Sequence, residues 1–249
     1  PAIADSLNIV SKRLGDVGRR QEGLEAIEEA VGHYRELVKT NRDAHLPDLA
    51  SALNTFSIRL GDVGRRQEGL EAIEEAVGHY RELAETNRDA HLPDLASALN
   101  TFSIRLGDVG RRQEGLEAIE EAVGHYRELA ETNRDAHLPD LASALNNLSI
   151  WLGTVGRQQE GLEAIEEAVR IRGTLAETNP DTHLPDLAKS LNDLSIWLGA
   201  VGRREKEGLV AIEEAVHHYR TLAEANRARF NADLQRSLET AAWLESLPE

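Results

Sequence analysis

Histidine and glutamate recur together in this sequence at a spacing that could bring them onto one helix face. In three places a histidine follows a glutamate by four residues, and residues four apart are neighbours on a helix surface. A zinc site needs three or four converging ligands, and the sequence has no HExxH motif. A pair on a glutamate-rich helix therefore indicates a solvated charged face rather than a metal centre. The pairs are Glu29/His33, Glu75/His79 and Glu121/His125.

Other catalytic constellations are missing from the sequence. The chain has no cysteine, so it offers no thiolate nucleophile, disulfide framework or cysteine-based zinc site. It has no GxxxxGK[ST] phosphate-binding loop, no nucleophile elbow and no pattern of paired carboxylates. We therefore predict a non-enzymatic protein without metal or cofactor.

The charge balance limits the kind of partner. Asp and Glu number 44 against 28 Lys and Arg, which leaves a formal net charge of −16. Such a field repels nucleic acid and anionic membrane surfaces, so we predict neither as a partner. A protein or peptide partner suits it better, particularly a basic one. No apolar run approaches the roughly 20 residues of a membrane span. No signal-peptide pattern opens the chain, so we expect a cytoplasmic protein.

A repeated structural unit must position these side chains. Residues 46–91 recur letter for letter as residues 92–137, and looser copies fill most of the chain. One leucine returns every 46 residues, as Leu7, Leu53, Leu99, Leu145 and Leu191. Self-similarity at this period is typical of stacked-repeat solenoids, in which each unit buries its apolar face against its neighbours.

Each repeat indicates two antiparallel helices. In the third copy, Pro93 suits the first helical position, and a 3.6-residue apolar period runs from there to Leu106. A GDVG sequence predicts a break. A second apolar period predicts a helix over residues 112–132, closed by Asn133 in left-handed geometry. The five residues NRDAH that begin with this asparagine are then expected to form a polar loop.

We predict that the whole chain, residues 1–249, forms one solenoid. The fifth repeat carries one extra residue around Glu205–Lys206, in the turn before its second helix. Pro1 aligns with Pro47 inside a repeat, so we expect a piece cut from a longer protein at a repeat boundary. The predicted repeats are about 1–45, 46–91, 92–137, 138–183 and 184–230, followed by a capping helix over residues 231–247.

The repeat pattern resembles the tetratricopeptide repeat, particularly the long form found in kinesin light chains. The resemblance implies an all-α, right-handed solenoid of five helix pairs plus the capping helix. One departure recurs: the small residue early in the second helix is glycine rather than alanine, which suggests very close helix packing or a loosened helix start. The matching residues in the fourth copy are Leu145, Leu148, Ser149, Leu152, Gly156, Gly161, Ile165 and Ala168.

The chain also looks like the C-terminal repeat arrays of bacterial and fungal multidomain signalling proteins. That likeness implies that these repeats are the sensor or partner-recognition part of a larger protein. In the tetratricopeptide family the first helix of each pair lines a concave groove that holds an extended peptide or another protein's helix. The implied groove residues are Asn54, Asn100, Asn146 and Asn192, with Ile58, Ile104, Ile150 and Ile196 one turn later and Ser51, Ser97 and Ser143 one turn earlier.

Two alternatives to groove binding remain open. The asparagines could instead hydrogen-bond neighbouring repeats, and the two functions can coexist. Trp151 and Trp197 lie beside the groove row, where they could be binding hot spots or could pack between adjacent repeats. Trp243 is expected to be the packing residue of the capping helix. An alternative function is self-assembly, with end-to-end or face stacking of copies producing a homo-oligomer.

Overall fold

The computed structural model describes residues 1–203 and 207–247, and every regular element in them is helical. The extra residue predicted near Glu205–Lys206 lies outside the described residues. Within the described ranges, no helix is both long and apolar enough to cross a membrane. The helices are α1 (Ala2–Asp16), α2 (Arg20–Thr40), α3 (Arg42–Asp62), α4 (Arg66–Thr86), α5 (Arg88–Asp108), α6 (Arg112–Thr132), α7 (Arg134–Thr154), α8 (Gln158–Thr178), α9 (Pro180–Ala200), α10 (Leu209–Ala225) and α11 (Arg227–Ser246).

The helices pack in chain order within two compact units, Pro1–Thr132 and Asn133–Glu249. Consecutive helices contact each other from α1 to α6 in unit 1 and from α7 to α11 in unit 2. We call the odd-numbered helices A helices and the even-numbered ones B helices. Successive A helices also touch, as in α1 with α3, α3 with α5, and α9 with α11. The predicted all-α fold of stacked helix pairs is confirmed. That the two units form one continuous solenoid stays a prediction.

The repeated apolar residues form the interior of each pair. Leu53 and Leu99 on A helices, and Ile73 and Ile119 on B helices, are fully buried in unit 1. Complete burial of one such side chain contributes about 1.5–3 kcal/mol. Because the stripe on each helix meets both its own partner and the next pair, stability accumulates pair by pair.

The A helices begin four or five residues earlier than the pattern predicts. The Asn133 backbone is extended, with φ −142°, and its side chain accepts a hydrogen bond from the Ala136 amide at 3.3 Å. It is therefore the N-cap of α7, and the predicted left-handed C-cap was wrong. The NRDAH sequence continues into the first turn of this helix, not a loop. Pro93 correspondingly lies inside α5, and the capping helix α11 begins at Arg227.

The break between the A and B helices is confirmed at the GDVG sequence. Gly110 has φ +81°, a left-handed conformation that strains any residue with a side chain. The Arg111 amide donates to the Leu106 carbonyl at 2.9 Å, which closes the end of α5. Helix α5 itself runs to Asp108, two residues past the predicted end, and α6 has the predicted bounds.

Three of the unusual glycines early in the B helices lie close to the A-helix backbone of their own pair: a Cβ atom on Gly23, Gly69 or Gly161 would lie 3.1–3.2 Å from a carbonyl oxygen of that helix. At Gly161 the next repeat adds a second contact. A Cβ atom on Gly161 of α8 would lie 2.7 Å from Cη2 of Trp197, and one on Gly153 of α7 would lie 2.8 Å from the same atom. The Trp197 ring of α9 therefore lies across both glycines. In unit 1 a Cβ atom on Gly15 would overlap the Arg59 guanidinium of α3, whereas one on Gly23 would lie 3.6 Å from the Arg59 side chain, at ordinary contact distance. Close packing therefore accounts for the glycine at positions 23, 69 and 161, but not at Gly208, where a Cβ atom would lie 3.5 Å from its nearest neighbour.

We predict opposite effects for two Gly→Ala substitutions on the same helix. Gly161→Ala should destabilise the protein by about 1–3 kcal/mol, because its methyl group would clash with Trp197 and with the Ser149 carbonyl, 3.1 Å away. Gly173→Ala, which meets nothing within 4 Å, should stabilise it by up to about 1 kcal/mol through helix propensity. Urea denaturation measures both, and equal effects would contradict the packing explanation.

Candidate partner-binding surface

A stripe of polar and apolar residues, some exposed and some buried, follows the A helices. We call it the A-face and define it by the predicted Ser, Asn and Ile positions. Each A helix contributes one short row at three- to four-residue spacing, so its members lie on one side of the helix. In unit 1 the A-face comprises Ser51, Asn54, Ile58, Ser97, Asn100 and Ile104, and in unit 2 it comprises Ser143, Asn146, Ile150, Asn192 and Ile196.

The isoleucine row is the most exposed apolar part of the A-face. Ile104 is 38% exposed, Ile150 is 54% exposed and Ile196 is 41% exposed, while Ile58 is half-buried. Single exposed apolar residues are common on protein surfaces, but repetition at one position of successive A helices is not accidental in a repeat protein. The row therefore gives each unit an apolar contact surface.

Trp243 extends this row in unit 2, which the sequence analysis missed. It is 40% exposed, although its ring also packs near Gly199 of α9, so the expectation of a packing residue is only partly right. Alignment of the capping helix with α9 places Trp243 at the position of Ile196. This alignment could have shown from the sequence that Trp243 belongs to the isoleucine row. We include Trp243 in the A-face hereafter.

In unit 2 the asparagines of the A-face are buried and hydrogen-bonded, unlike the exposed isoleucines. Asn146 is only 2% exposed, and its Nδ2 donates to Asp193 Oδ2 of α9 at 3.1 Å. Its Oδ1 accepts from the Ser190 hydroxyl at 2.9 Å. Asn192 Oδ1 likewise accepts from the Ser237 hydroxyl of α11 at 3.0 Å. In unit 2 these asparagines therefore link successive A helices, which supports the stacking alternative.

Arg172 completes this buried network. It is 5% exposed and stands where the other repeats have Tyr34, Tyr80, Tyr126 and Tyr219. Its guanidinium donates to Asn146 Oδ1 at 3.3 Å, to the Asp186 carbonyl at 3.2 Å, to the Ser143 hydroxyl at 3.2 Å and to the Ser190 hydroxyl. Burial lowers the pKa of the Arg172 guanidinium. One side chain of α8 thus joins α7 to α9.

Within the described part of the chain, the corresponding asparagines of the first two repeats lack the acceptor contact that Asn146 has. Asn54 Oδ1 is buried and has no hydrogen-bond partner among the described residues, and the same holds for Asn8 Oδ1. An unsatisfied buried acceptor loses its hydration without compensation. The Asn54 side chain therefore contributes less to stacking than Asn146 does, although both occupy the same position of the repeat.

The two tryptophans inside the repeats are mainly packing residues. Trp151 is 8% exposed. Trp197 lies over Gly153 and Gly161 and is half-buried. This geometry favours the packing alternative for both, while Trp197 keeps an accessible edge beside Ile196.

Carboxylates border the A-face near the helix starts. Burial raises the pKa of Asp94 on α5 and of Asp140 on α7. Tyrosines of the B helices reach toward the same region: burial, followed by the Asp94 charge, raises the pKa of Tyr80. A cation placed on the A-face would be attracted by these carboxylates.

The Glu–His pairs lie on the B helices, as predicted. His33 Nε2 is 3.6 Å from Glu29, and His79 and His125 are each 3.7 Å from Glu75 and Glu121. Across residues 1–203 and 207–247 no three His, Asp or Glu side chains are grouped as metal ligands. Glu75 instead accepts a hydrogen bond from Arg35 of the preceding B helix at 2.7 Å, and Glu121 one from Arg81 at 2.7 Å. These residues connect successive repeats.

Comparison with known proteins agrees with this architecture. A tetratricopeptide repeat family model matches residues 141–181, and a model of anaphase-promoting complex subunit 5 matches residues 38–92 and 94–137. No curated protein matches the chain in sequence.

Solved structures share the fold at low sequence identity. The nearly identical TPR-like repeats of a Podosopora anserina protein described as a kinesin light chain are 23% identical, with a TM-score of 0.64 over 90% of this chain and 97% of that one. BtubC (BKLC) from P. vanneervenii is 14% identical, with a TM-score of 0.61 over 91% and 89%. The apo form of RapI is 11% identical, with a TM-score of 0.68 over 97% and 81%.

These findings define a class of helical-repeat protein. A tetratricopeptide repeat model matches part of the chain, and the chain shares the fold of kinesin light chain-like repeats.

We predict unequal effects for one substitution made at equivalent positions. Asn146→Ala should cost about 2–3 kcal/mol of unfolding free energy, because it leaves Asp193, Ser190 and Arg172 without a shared partner. Asn54→Ala should cost less than about 1 kcal/mol, because its Oδ1 has no partner to lose among the described residues. Urea denaturation of both variants checks this, and equal losses would argue against a stacking function that is confined to unit 2.

Proposed function

We propose that this chain is a non-enzymatic scaffold that binds a peptide or another protein along its A-face. The observation that carries the proposal is the repeated exposure of Ile104, Ile150 and Ile196, continued by Trp243. In a concave arrangement of A helices, these side chains would contact a segment lying across several repeats. Ser51, Ser97 and the partly exposed Asn54 and Asn100 would supply hydrogen bonds to its backbone, whereas the Ser143 hydroxyl already donates to the Pro139 carbonyl and accepts from Arg172.

Affinity on such a surface would accumulate over several repeats. Complete burial of one isoleucine contributes about 1.5–3 kcal/mol, whereas association itself costs an estimated 4–15 kcal/mol or more. One repeat is therefore too weak to hold a partner. Contacts from several A helices are needed, so the partner must be long enough to cross them.

The preferred partner is a segment that combines basic and apolar residues. The chain carries a net charge of −16, and Asp94 and Asp140 border the A-face. Lys189 and Arg236 interrupt the acidic character in unit 2, so the charge preference should be strongest in unit 1. The proposal includes a place as a recognition arm of a larger protein. The match to a model of anaphase-promoting complex subunit 5, by name a subunit of a larger complex, supports that part.

The A-face proposal predicts a loss of binding without a loss of stability. A random peptide library displayed on phage is selected against the wild-type chain, and the selected peptides are titrated by calorimetry. Ile150→Asp combined with Ile196→Asp should weaken them at least about tenfold, because charges replace exposed apolar contacts. Thermal melting should change little, because both side chains are largely exposed.

Val210→Asp is the matched control for this experiment. Val210 is also apolar and 58% exposed, but it lies on the B helix α10. Peptide binding should survive this substitution. If the A-face double variant and the Val210 variant bind equally well, the A-face is not the binding surface.

A second candidate function, self-assembly, is favoured by the exposed face of α1. Ile3 is 66% exposed, whereas Leu49 and Leu95, at the equivalent position of the next two repeats, are 3% and 4% exposed. Ile9, Val10 and Val17 on or beside the same helix are exposed as well. An apolar face that is buried in other repeats could be covered by a second copy of the chain.

Sedimentation across a concentration series tests self-assembly. If copies stack through α1, the mass should rise with concentration, and Ile3→Asp combined with Val10→Asp should return it to that of a monomer. A wild-type chain that stays monomeric throughout the series rules this function out. The A-face variants should not affect the mass.

A further inference from the structure

The fourth repeat loses two surface charges and gains a buried one within three residues. Residues 172–174 are Arg-Gly-Thr, whereas residues 34–36, 80–82 and 126–128 are each Tyr-Arg-Glu. Arg172 belongs to the buried network that joins α7 to α9. Gly173 and Thr174 stand where the first three repeats have an arginine and a glutamate, so they cannot form the ion pairs of those residues. The fourth repeat is therefore linked to the fifth by different interactions from those of unit 1.

Successive B helices of unit 1 are joined by ion pairs on their outer side. The helices α2, α4 and α6 approach each other less closely than the successive A helices do, so long charged side chains span the space between them. These side chains are between 36% and 53% exposed, which leaves them open to dissolved ions. We call the following contacts the B-side ion pairs: Arg35 with Glu75 at 2.7 Å, Arg81 with Glu121 at 2.7 Å, and Arg111 with Glu74 at 3.0 Å.

In unit 2 this kind of link is weaker. Gly173 of α8 stands at the position of the first arginine in two of the B-side ion pairs. The equivalent of the paired glutamate is Glu214 of α10, which therefore has a glycine instead of an arginine as its counterpart. Arg203, in the turn before α10, still pairs with Glu166 of α8, but at 3.4 Å. The joint is held instead on the side of the A helices, where Asn146 and its buried partners connect α7 to α9.

Dissolved salt acts differently on these two kinds of link. The Debye length falls from about 10 Å at roughly 0.1 M to about 3 Å at roughly 1 M, so exposed ion pairs weaken as salt rises, whereas buried hydrogen bonds are screened much less. Salt also reduces the general repulsion within an acidic chain, but the two units share this effect. Unit 1 has 16 basic and 25 acidic residues, a net charge of −9, and unit 2 has 12 and 19, a net charge of −7. A difference between the units in their response to salt therefore reports on the links.

We propose that the B-side ion pairs make unit 1 an ionic-strength-sensitive element of the fold. Rising salt loosens the stacking of α2, α4 and α6, while α9 and α10 stay stacked on α7 and α8 because that joint relies on buried hydrogen bonds. The A helices α3 and α5 lie against the loosened B helices and carry Ile58 and Ile104, so salt controls how firmly unit 1 holds its part of the A-face. The proposal goes beyond partner binding and does not rest on it, since the stacking exists without a partner.

The test is amide hydrogen exchange of the full chain, followed by mass spectrometry at about 0.02 M and about 0.5 M sodium chloride. Rates are divided by those of the urea-unfolded chain at the same salt concentration. Amides of α2, α4 and α6 should exchange about three to ten times faster at the higher salt concentration, because screening removes part of the attraction that closes these helices onto each other. Amides of α9 and α10 should change less than about twofold.

Substitutions assign the salt response to the B-side ion pairs. Arg35→Gln combined with Arg81→Gln should speed exchange in unit 1 already at low salt and should reduce its further rise with salt. The matched control is Arg66→Gln combined with Arg112→Gln, which changes the net charge equally. Both control arginines are exposed on the B helices of unit 1, and neither has an ion pair among the described residues. The control should behave like the wild type.

A substitution in unit 2 should create the salt response where it is missing. Gly173→Arg supplies the arginine that Glu214 lacks, and a Cβ atom at Gly173 meets nothing within 4 Å. Gly173→Ala corrects for the gain in helix propensity. At low salt, amides of α10 should exchange at least about twofold more slowly in the arginine variant than in the alanine variant. The difference should disappear at high salt.

Several results would overturn the proposal. Equal responses to salt in unit 1 and in α9 and α10 would show that the two kinds of link do not differ. A wild-type salt response in the Arg35 and Arg81 double variant would show that these pairs do not hold the B helices together. If the Arg66 and Arg112 control variant lost the response as well, net charge rather than pairing would be its cause. Equal exchange in the two Gly173 variants at low salt would show that an arginine at this position forms no link to α10.

Discussion

The close approach of one repeat to the next at paired glycines is the constraint on which this structure depends. Trp197 of α9 covers Gly153 and Gly161, and Arg59 of α3 covers Gly15. A Cβ atom at Gly15, Gly153 or Gly161 would occupy the space of the neighbouring residue, so the pairs could not stack at this distance. The lower helix propensity of glycine is thus offset by contact between repeats.

The same A helices must both stack and remain available for binding. In unit 2 this is resolved by position along the helix: Asn146 and Asn192 bond to the next A helix, while Ile150 and Ile196 point to the surface. A polar residue can satisfy its hydrogen bonds inside the stack, and an apolar residue left exposed gains only when a partner covers it. The isoleucine row is therefore the stronger indication of binding.

Sequence identity between repeats makes their differences informative. Repeats two and three are identical over their full 46 residues, so their helix pairs carry the same ion pairs, such as Arg42 with Glu82 and Arg88 with Glu128. In the fourth repeat, replacing that glutamate with Thr174 and a tyrosine with Arg172 moves one cation into the core and leaves another at the surface. A small change in one repeat has thus altered the contact between successive A helices and replaced the glutamate of a repeated surface ion pair.

The sequence by itself determined the period, the helix pairs, the buried leucine and isoleucine stripes and the break at the GDVG sequence, because these follow from local periodicity and backbone sterics. The starts of the A helices were predicted wrongly from the sequence, because asparagine is favoured both as an extended N-cap and as a left-handed C-cap. Only the tertiary structure decided that Asn146 is buried while Ile150 is exposed, that Trp197 covers two glycines, and that Trp243 joins the A-face. Those outcomes depend on contacts between residues tens of positions apart, which no local pattern encodes.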